Sequence, residues 1–338
     1  MSELSTNPAL KSILKTIADI SETPKGAFNI RLNGAGIERH STENIEIVPK
    51  PNGTGIEIYV KPGTKGEDVH IPVIVSKTDF ADLVYNDFYI GDNCDVNIVA
   101  GCGIHNDGEH LSQHDGIHTF HVGKNARVRY VEKHYGEGNG TGQRVLNPVT
   151  VVHLEKGSYL EMETVQIEGV DSTKRVTKAD LKDDARLVIK EKIMTSGSQY
   201  AETEFTVDMN GKGCSADISS RSVAKGDSKQ KFISVINGNN ECAGHSECDA
   251  IIMENACVKA VPEITANDVN AFAYSRGGNR QNRRRANHKA YDALAFLKKR
   301  RKSKSLKASL NKGIKKRNIG AKASKMRKKT PILKRNNP

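Results

Sequence analysis

Apolar and polar residues alternate with a period of two through most of this chain. The alternation is clearest in five segments, at residues 55–62, 69–75, 126–134, 158–169 and 185–193. Because successive side chains of a strand point to opposite faces, this period predicts strands with a buried face. The pattern continues to about residue 269 and predicts a mainly β protein.

The N-terminal residues follow a different period. Between residues 8 and 20, apolar side chains recur every three or four positions, at Leu10, Ile13, Leu14, Ile17 and Ile20. This spacing places them on one face of a helix. We therefore predict a short helical segment within residues 1–21, ahead of the strand-forming region.

A weak repeat accompanies the alternation. Six times, a polar pair is followed by a small residue, a variable residue and an apolar residue. The small positions are 32, 32, 27, 29 and 42 residues apart and are occupied by Cys94, Ala126, Ser158, Ala185, Cys214 and Ala256. A turn, a small inward residue and a strand in each repeat are typical of a stacked β-solenoid. An antiparallel sandwich can give similar signals, and the pattern favours the solenoid over it.

Charge divides the chain near Ala271. Residues 276–338 hold 24 Lys and Arg side chains and one acid, Asp292, whereas the remainder holds 28 basic and 39 acidic residues. The net charge of +12 therefore describes neither part. A segment with so much unopposed positive charge and little apolar periodicity is expected to be disordered, or at best a loose helix. We predict a basic tail over residues 272–338.

Other features argue against several classes of protein. The first residues lack a secretory pattern, and no run approaches the ~18 apolar residues of a membrane-spanning helix. Six cysteines without a signal peptide indicate reduced thiols and a cytoplasmic protein. No CxxC pair occurs, which argues against a zinc ribbon. Neither GxxxxGKS nor GxxxxGKT occurs, so we expect no nucleotide site.

Two clusters of thiols and imidazoles can carry chemistry. The first, within residues 102–121, comprises Cys102, His105, His110, His114, His118 and His121. Thiolate and neutral imidazole are good ligands for zinc, iron and copper. The spacing matches no closed metal site, so a polar loop whose histidines bond to the backbone is an equal alternative. The second cluster, within residues 242–257, comprises Cys242, His245, Cys248 and Cys257. Three cysteines so close together favour thiol chemistry over simple packing.

Four long segments resemble one known family. They begin with GAFNIRLNGAG at residue 26, YNDFYIGDNCDV at 85, HDGIHTFHVGKN at 114 and RSVAKGDSKQKF at 221. Together they are similar to the SufB/SufD family, the scaffold subunits of the SUF machinery for iron–sulfur cluster assembly, in its short, SufC-partnered form. The resemblance covers roughly residues 1–271. It implies a right-handed parallel β-helix over residues 22–271 and a scaffold with no catalytic turnover of its own.

The resemblance also implies site residues. Cys248, in ECDAII, matches the thiol that accepts sulfur or cluster in SufB. Cys102 matches a second functional core cysteine, and Cys257 matches a less critical one. Further candidates come from the two clusters and not from the resemblance: Cys242 and His245 for cluster or sulfur binding, and His105, His114 and His118 for metal binding. The His-rich segment departs from the longer SufB pattern.

The cofactor that the resemblance implies is a transient Fe–S cluster, since thiolates with imidazole or carboxylate ligands can hold one. The implied partners are a SufC-type ATPase, which hydrolyses the ATP, and either a second copy or a sister scaffold subunit. A sulfur donor such as a cysteine desulfurase or a SufU-type protein is also implied. No membrane partner is expected.

The tail departs from the family pattern. After NDVNA at residues 267–271, the family continues with a THE element and then with acidic helices that dock on SufC. Shifted reading frames can recover both from the tail, so we expect the residues from about Phe272 onward to be a frameshift product. The chain as written is therefore expected to bind SufC weakly or not at all.

Two other functions stay open at this stage. Runs such as KKRRKSKSLK can bind phosphate backbones, which would make the chain a nucleic-acid-binding protein. Few aromatic residues are available to stack on bases, so we expect only non-specific binding. The His-rich segment 105–121 could instead belong to a metal-dependent enzyme, although no nucleophile–base pair accompanies it.

Overall fold

A computed structural model of the protein describes residues 8–51 and 53–281. The described part is mainly β, and it forms a solenoid of about eight turns with one short helix near the N-terminus. The predicted solenoid is therefore confirmed, and the sandwich alternative is wrong.

The described residues form one helix and twenty strands. The helix is α1 (Pro8–Ala18). The strands are β1 (Ala27–Leu32), β2 (Ala35–His40), β3 (Ile45–Pro49), β4 (Gly55–Val60), β5 (Lys65–Val75), β6 (Phe80–Ile90), β7 (Asp95–His105), β8 (Ser112–Val122), β9 (Arg127–Glu137), β10 (Arg144–Leu146), β11 (Val149–Leu154), β12 (Tyr159–Glu168), β13 (Ser172–Leu181), β14 (Arg186–Thr195), β15 (Tyr200–Met209), β16 (Ser215–Ala224), β17 (Lys229–Gly238), β18 (Ala243–Ile252), β19 (Cys257–Ala266) and β20 (Phe272–Gln281).

From β5 onward, consecutive strands alternate between two sheets, except that β10 and β11 both belong to the second. The first sheet has the order β2–β1–β5–β7–β9–β12–β14–β16–β18–β20. The second has the order β3–β4–β6–β8–β10–β13–β15–β17–β19, with β11 also lying between β8 and β13. Pairing among these strands is parallel, apart from the antiparallel pairs β1–β2 and β3–β4 at the N-terminal end. Because strand side chains alternate, every second residue of both sheets points into the interior.

Turns with left-handed residues precede strands of the first sheet. The φ angle is positive at Asn93, Asn125, Gly157, Asp184 and Gly213, and these residue types tolerate that conformation. The next residue is small and buried, and it stacks on the equivalent residue of the neighbouring turn. In the first such pair, the backbone N–H of Arg127 donates to the Cys94 carbonyl at 2.8 Å.

These bonds define a packing column at one edge of the first sheet. It comprises Thr64, Cys94, Ala126, Ser158, Ala185, Cys214, Cys242 and Ala271. The predicted membership of Ala256 is wrong, because the next residue, Cys257, bonds through its backbone N–H to Ser228 in the second sheet. The anomalous spacing of 42 residues arises because Cys242 takes the position after Cys214, and Ala256 follows half a turn later.

Helix α1 lies on the outer face of the first sheet. Its apolar face packs against β5, β7 and β9, and Leu10, Ile13 and Ile17 are buried there. Two glycines of β7 allow this close approach, because a Cβ atom on Gly103 would overlap Ile13 and one on Gly101 would overlap Ile17. The helix predicted within residues 1–21 thus covers the strand that carries Cys102.

The tail predicted from residue 272 contributes its first ten residues to the solenoid. They form β20, which pairs in parallel with β18. Residues 282–338 lie outside the described part. The predictions of disorder, of a frameshift product and of nucleic-acid binding by the basic runs fall mainly on those residues.

Candidate functional site

Cys102 lies inside the solenoid, next to two side chains of the following turn. It is on β7, and its neighbour in register on β9 is His134. Glu132, two residues earlier on β9, also points inward. The Cys102 sulfur, a Glu132 carboxylate oxygen and a His134 ring nitrogen all lie within 4.8 Å of one another. All three residues are buried.

Arg175 reaches this group from β13 in the second sheet. Its guanidinium donates to the Glu132 carboxylate, and it also donates to Nδ1 of His134 at 3.2 Å. Burial opposes the ionisation of Glu132, but the charge of Arg175 and the contact with His134 outweigh it, so the pKa of Glu132 lies well below its usual range. The interior therefore holds a buried ion pair whose members are hydrogen-bonded, the arrangement in which buried charges are tolerated.

This arrangement does not suit a metal cation held by all three residues. Because Nδ1 of His134 accepts from Arg175, the proton of the neutral imidazole is on Nε2, which faces Glu132 Oε1 at 3.5 Å. Neither ring nitrogen then has a lone pair for a metal, and the guanidinium repels a cation. The same positive charge favours an anion in its place.

The Cys102 thiol is neutral in this setting. Burial raises its pKa well above the usual value, and the nearby Glu132 carboxylate raises it further. Ionisation of the thiol, or formation of an anionic sulfur species on it, would draw on Arg175 for stabilisation. The environment therefore keeps the Cys102 thiol protonated, which makes it a weaker nucleophile than a thiolate.

A row of inward side chains connects this region to Cys248. On adjacent strands of the first sheet, the residues in register are Glu132, Thr164, Glu191, Ser220 and Cys248. We call these five residues the interior row. Neighbouring strands are ~4.8 Å apart, so the row spans about 19 Å. Polar side chains at these positions are unusual inside a solenoid, whose stacked strands usually bury apolar residues.

Glu191 occupies the middle of the interior row. Ser220 donates to one of its carboxylate oxygens at 2.7 Å, and Thr203 of the second sheet donates to the other at 2.8 Å. Burial raises its pKa, in contrast to that of Glu132. Several hydroxyl groups of other strand residues are buried without a protein hydrogen-bond partner among the described residues; they belong to Thr150, Thr164, Thr177, Ser234 and Ser246.

Cys248 ends the interior row near the last strands of the described part. Burial raises its pKa to about 12, and the carboxylates of Glu191 and Asp249 add to the effect. Its neighbour in register on β20 is Gly277, where a Cβ atom would meet nothing within 4 Å. The two family-matched thiols, Cys102 and Cys248, are thus buried in one interior and joined by polar side chains.

The other candidates for cluster or sulfur binding lie elsewhere. Cys242 belongs to the packing column beside Cys214, and burial raises the pKa of its thiol. His245 points away from the interior; its Nδ1 lies 3.0 Å from Asp217, and its ring stacks on Tyr274. Cys257 is exposed at the start of β19. The structure therefore does not bring these three residues to Cys248.

The three candidate metal ligands also separate. His105 ends β7 with 25% of its side chain exposed, and its ring nitrogens contact Asp107 and Glu137. His114 and His118 are buried on β8 and face the interior, close to the Cys102 group. The prediction thus combined one surface histidine with two interior ones.

The sequence analysis did not single out Glu132, His134, Arg175 or Glu191. A signal for the first two was present, because the alternation over residues 126–134 puts Val128, Tyr130, Glu132 and His134 on one face. Two ionisable residues in phase with a buried aromatic residue indicate a polar interior. Arg175 carries no such signal, since its partners lie more than 40 residues away in the chain.

Comparisons with known proteins agree with this architecture. Residues 88–273 match the family model for the SufBD core domain of SUF system FeS cluster assembly. The chain is 24% identical over 216 residues to an iron-sulfur cluster assembly SufBD family protein of Archaeoglobus fulgidus. That match covers 63% of this chain and 56% of the relative, so the chain spans little more than half of that protein.

A second relative is an iron-sulfur cluster assembly SufBD family protein, MJ0034, of Methanocaldococcus jannaschii. It is 23% identical over 276 residues, which cover 78% of this chain and 86% of the relative. Among the described residues, no helix is long and apolar enough to cross a bilayer. Because the family model covers more than half of the chain, the protein belongs to the SufBD family of SUF iron–sulfur cluster assembly proteins.

Proposed function

We propose that this chain is a scaffold subunit for iron–sulfur cluster assembly and that Cys102 and Cys248 are its working thiols. The observation that carries the proposal is the interior row, a line of polar side chains between two buried thiols. An apolar interior would stabilise the fold better, so the buried carboxylates and hydroxyls suit the handling of a polar cargo. Iron and sulfur are that cargo, and the chain has no turnover of its own.

The proposed sulfur chemistry begins with a persulfide on a donor, such as a cysteine desulfurase or a SufU-type protein. The sulfur of Cys102 or Cys248 attacks the outer sulfur of the donor persulfide, forming a new S–S bond and releasing the donor thiol, which takes the proton. At Cys102, the guanidinium of Arg175 would stabilise the anionic form of the product. At Cys248, the absence of a side chain on Gly277 leaves room for it.

We place the partner subunit at the C-terminal end of the described solenoid. Val269, Phe272 and Tyr274 are exposed there, and Ala260 and Ile264 are only partly buried. A second copy or a sister scaffold subunit would cover these apolar side chains and approach Cys248. A SufC-type ATPase would supply the ATP hydrolysis, and the cytoplasm would keep the six free thiols reduced.

The test is cluster loading of the full chain. The protein is incubated anaerobically with ferrous iron, cysteine, a cysteine desulfurase and a thiol reductant, and iron and acid-labile sulfide are measured for each chain; persulfide is measured in a parallel incubation without iron and reductant. Cys248→Ala should lose cluster and sulfur loading with an unchanged circular dichroism spectrum, and Cys102→Ala should lose persulfide at that position. Cys214→Ala is the matched control. Loading of Cys248→Ala equal to that of the wild type would refute the proposal.

A further inference from the structure

A second group of interior side chains lies on β8, in the other sheet. His114, Gly116 and His118 occupy alternate positions of this strand, so all three point inward. Both histidines are 3% exposed. Neither was assigned a role in the thiol chemistry above.

Hydrogen bonds fix the tautomer of each ring. Nδ1 of His114 lies 3.0 Å from a carboxylate oxygen of Asp82, so the proton of the neutral ring is on Nδ1. Nδ1 of His118 lies 2.7 Å from the Tyr130 hydroxyl, and its Nε2 lies 3.4 Å from the Asn86 amide nitrogen, which can only donate. Because Nε2 accepts from that amide, the proton of the neutral ring is on Nδ1, and the Tyr130 hydroxyl accepts from it. Both histidines therefore carry a lone pair on Nε2, the opposite of His134.

The two Nε2 atoms face a common space above Gly116. A Cβ atom on residue 116 would lie 3.1 Å from Nε2 of His118 and 3.5 Å from Nε2 of His114. The glycine therefore leaves room between the rings that any other residue would reduce. Its φ angle is not in the left-handed region, so the backbone itself does not require glycine here.

A further polar side chain borders the same space. Asn86, on the neighbouring strand β6, is 3% exposed, and its amide nitrogen is 3.4 Å from His118 Nε2. Its amide oxygen has no hydrogen-bond partner among the described residues. The amide can turn to present that oxygen beside the ring, since its two orientations are nearly the same in shape. Buried carbonyl oxygens without a partner are uncommon, and they point to a missing ligand.

We propose that His114 and His118 bind a divalent first-row transition metal ion through Nε2, with the Asn86 amide oxygen and water completing the coordination. Neutral imidazole suits this class of ion, and metal-bound histidines usually donate their other N–H to a carboxylate or another acceptor. Asp82 and Tyr130 supply those acceptors. The site does not rest on the scaffold role, because it uses neither Cys102 nor Cys248.

The test uses cobalt(II) as the probe and the full 338-residue chain. Cobalt is titrated anaerobically without a sulfur donor, and binding is followed by visible absorption and by the metal retained after gel filtration. The expected result is about one tightly bound cobalt for each chain, with nitrogen and oxygen ligands. His114→Gln and His118→Gln should each weaken binding at least tenfold, and Asp82→Asn should weaken it by roughly 10- to 100-fold.

Gly116→Ala is the decisive variant, because it keeps both histidines and fills only the space between them. It should weaken cobalt binding at least as much as Asp82→Asn, with an unchanged thermal midpoint as evidence of folding. His121→Gln is the matched control, since His121 lies on the same strand and faces outward, stacked between Tyr89 and His153. It should bind cobalt as the wild type does.

Two results would overturn the proposal. One is the absence of tight binding by the wild type, or cobalt binding by Gly116→Ala and His118→Gln that equals that of the wild type. The other is a sulfur-to-cobalt charge-transfer band that disappears in Cys102→Ser, which would place the metal on the thiol group instead. Cys248→Ala separates this proposal from the scaffold role, since it should keep the cobalt site while losing cluster loading.

Discussion

Cys102 and Cys248 lie in the same interior, but their surroundings differ in charge. Cys102 is beside an ion pair, Arg175 with Glu132, whereas the nearest polar groups along the row from Cys248 are a hydroxyl and a carboxyl with a raised pKa. The surroundings of Cys102 can therefore stabilise an anion. The surroundings of Cys248 favour a neutral group. In a transfer of sulfur between the two thiols, an anionic sulfur species would therefore be more stable at Cys102 than at Cys248.

The two thiols also differ in how the solenoid covers them. Helix α1 packs on the outer face of β7 and so covers the strand that carries Cys102. Cys248 lies on β18, which pairs with β20, the last strand of the described part. Both strands have a paired strand on each side. However, helix α1 packs against β5, β7 and β9, whereas β18 has only β16 and β20 beside it in the first sheet, so local opening should be easier at β18.

Alkylation rates test this difference directly. Cys257 is exposed and should react first, on the order of 100-fold faster than either buried thiol, because an opening that costs about 3 kcal/mol slows reaction by that factor. Cys248 should follow, and Cys102 should react last. Mass spectrometry of peptides after timed exposure to iodoacetamide measures all three rates.

Cys257→Ser is the control for that experiment, since it removes the fast phase without touching the interior. If Cys102 reacts before Cys248 in this variant, the C-terminal end of the solenoid is not the more easily opened one.

Glu132→Gln should have the largest effect on stability. It removes the carboxylate that is hydrogen-bonded to Arg175 and leaves only that of Glu191, 4.0 Å from Nε, so the free energy of unfolding should fall by about 3–5 kcal/mol. Urea denaturation followed by circular dichroism measures the loss. Glu161→Gln is the matched control, because Glu161 pairs with Lys190 near the surface, where a pair contributes ~1 kcal/mol or less. Equal losses in the two variants would show that the buried ion pair contributes no more to stability than the pair near the surface.

Part of this interior could be predicted from the sequence. Alternation marked the strands, and the turn with its small residue marked the solenoid, because both are local patterns of a few residues. The contact of Arg175 with Glu132 could not be predicted in this way. It depends on which strands pair in each sheet and on which faces meet, and residues 43 positions apart carry no local sign of that. Ala256 was misplaced in the repeat for the same reason.

Glu191→Gln should raise the stability of the protein at neutral and basic pH, whereas Glu132→Gln should lower it. The folded protein has a raised pKa at Glu191, so the stability that this group contributes is fully present below its ordinary pKa and is lost as the pH rises through the raised value. A neutral amide avoids that loss. The variant should match the wild type near pH 4 and exceed it by ~1 kcal/mol at pH 8 in urea denaturation. A variant less stable than the wild type at pH 8 would show that Glu191 is ionised and well paired.

Of these variants, Cys242→Ala should have the smallest effect on stability and sulfur loading. It tests whether the thiol chemistry is confined to the interior. The side chain packs in the column beside Cys214, away from the interior row, so its removal should cost about 1 kcal/mol of unfolding free energy and leave sulfur loading unchanged. Cys248→Ala, only six residues along the same strand region, should lose loading at little cost in stability. Loss of loading in Cys242→Ala with an intact fold would restore Cys242 to the site predicted from the sequence. The thiol chemistry would then extend from the interior row to the edge of the sheet.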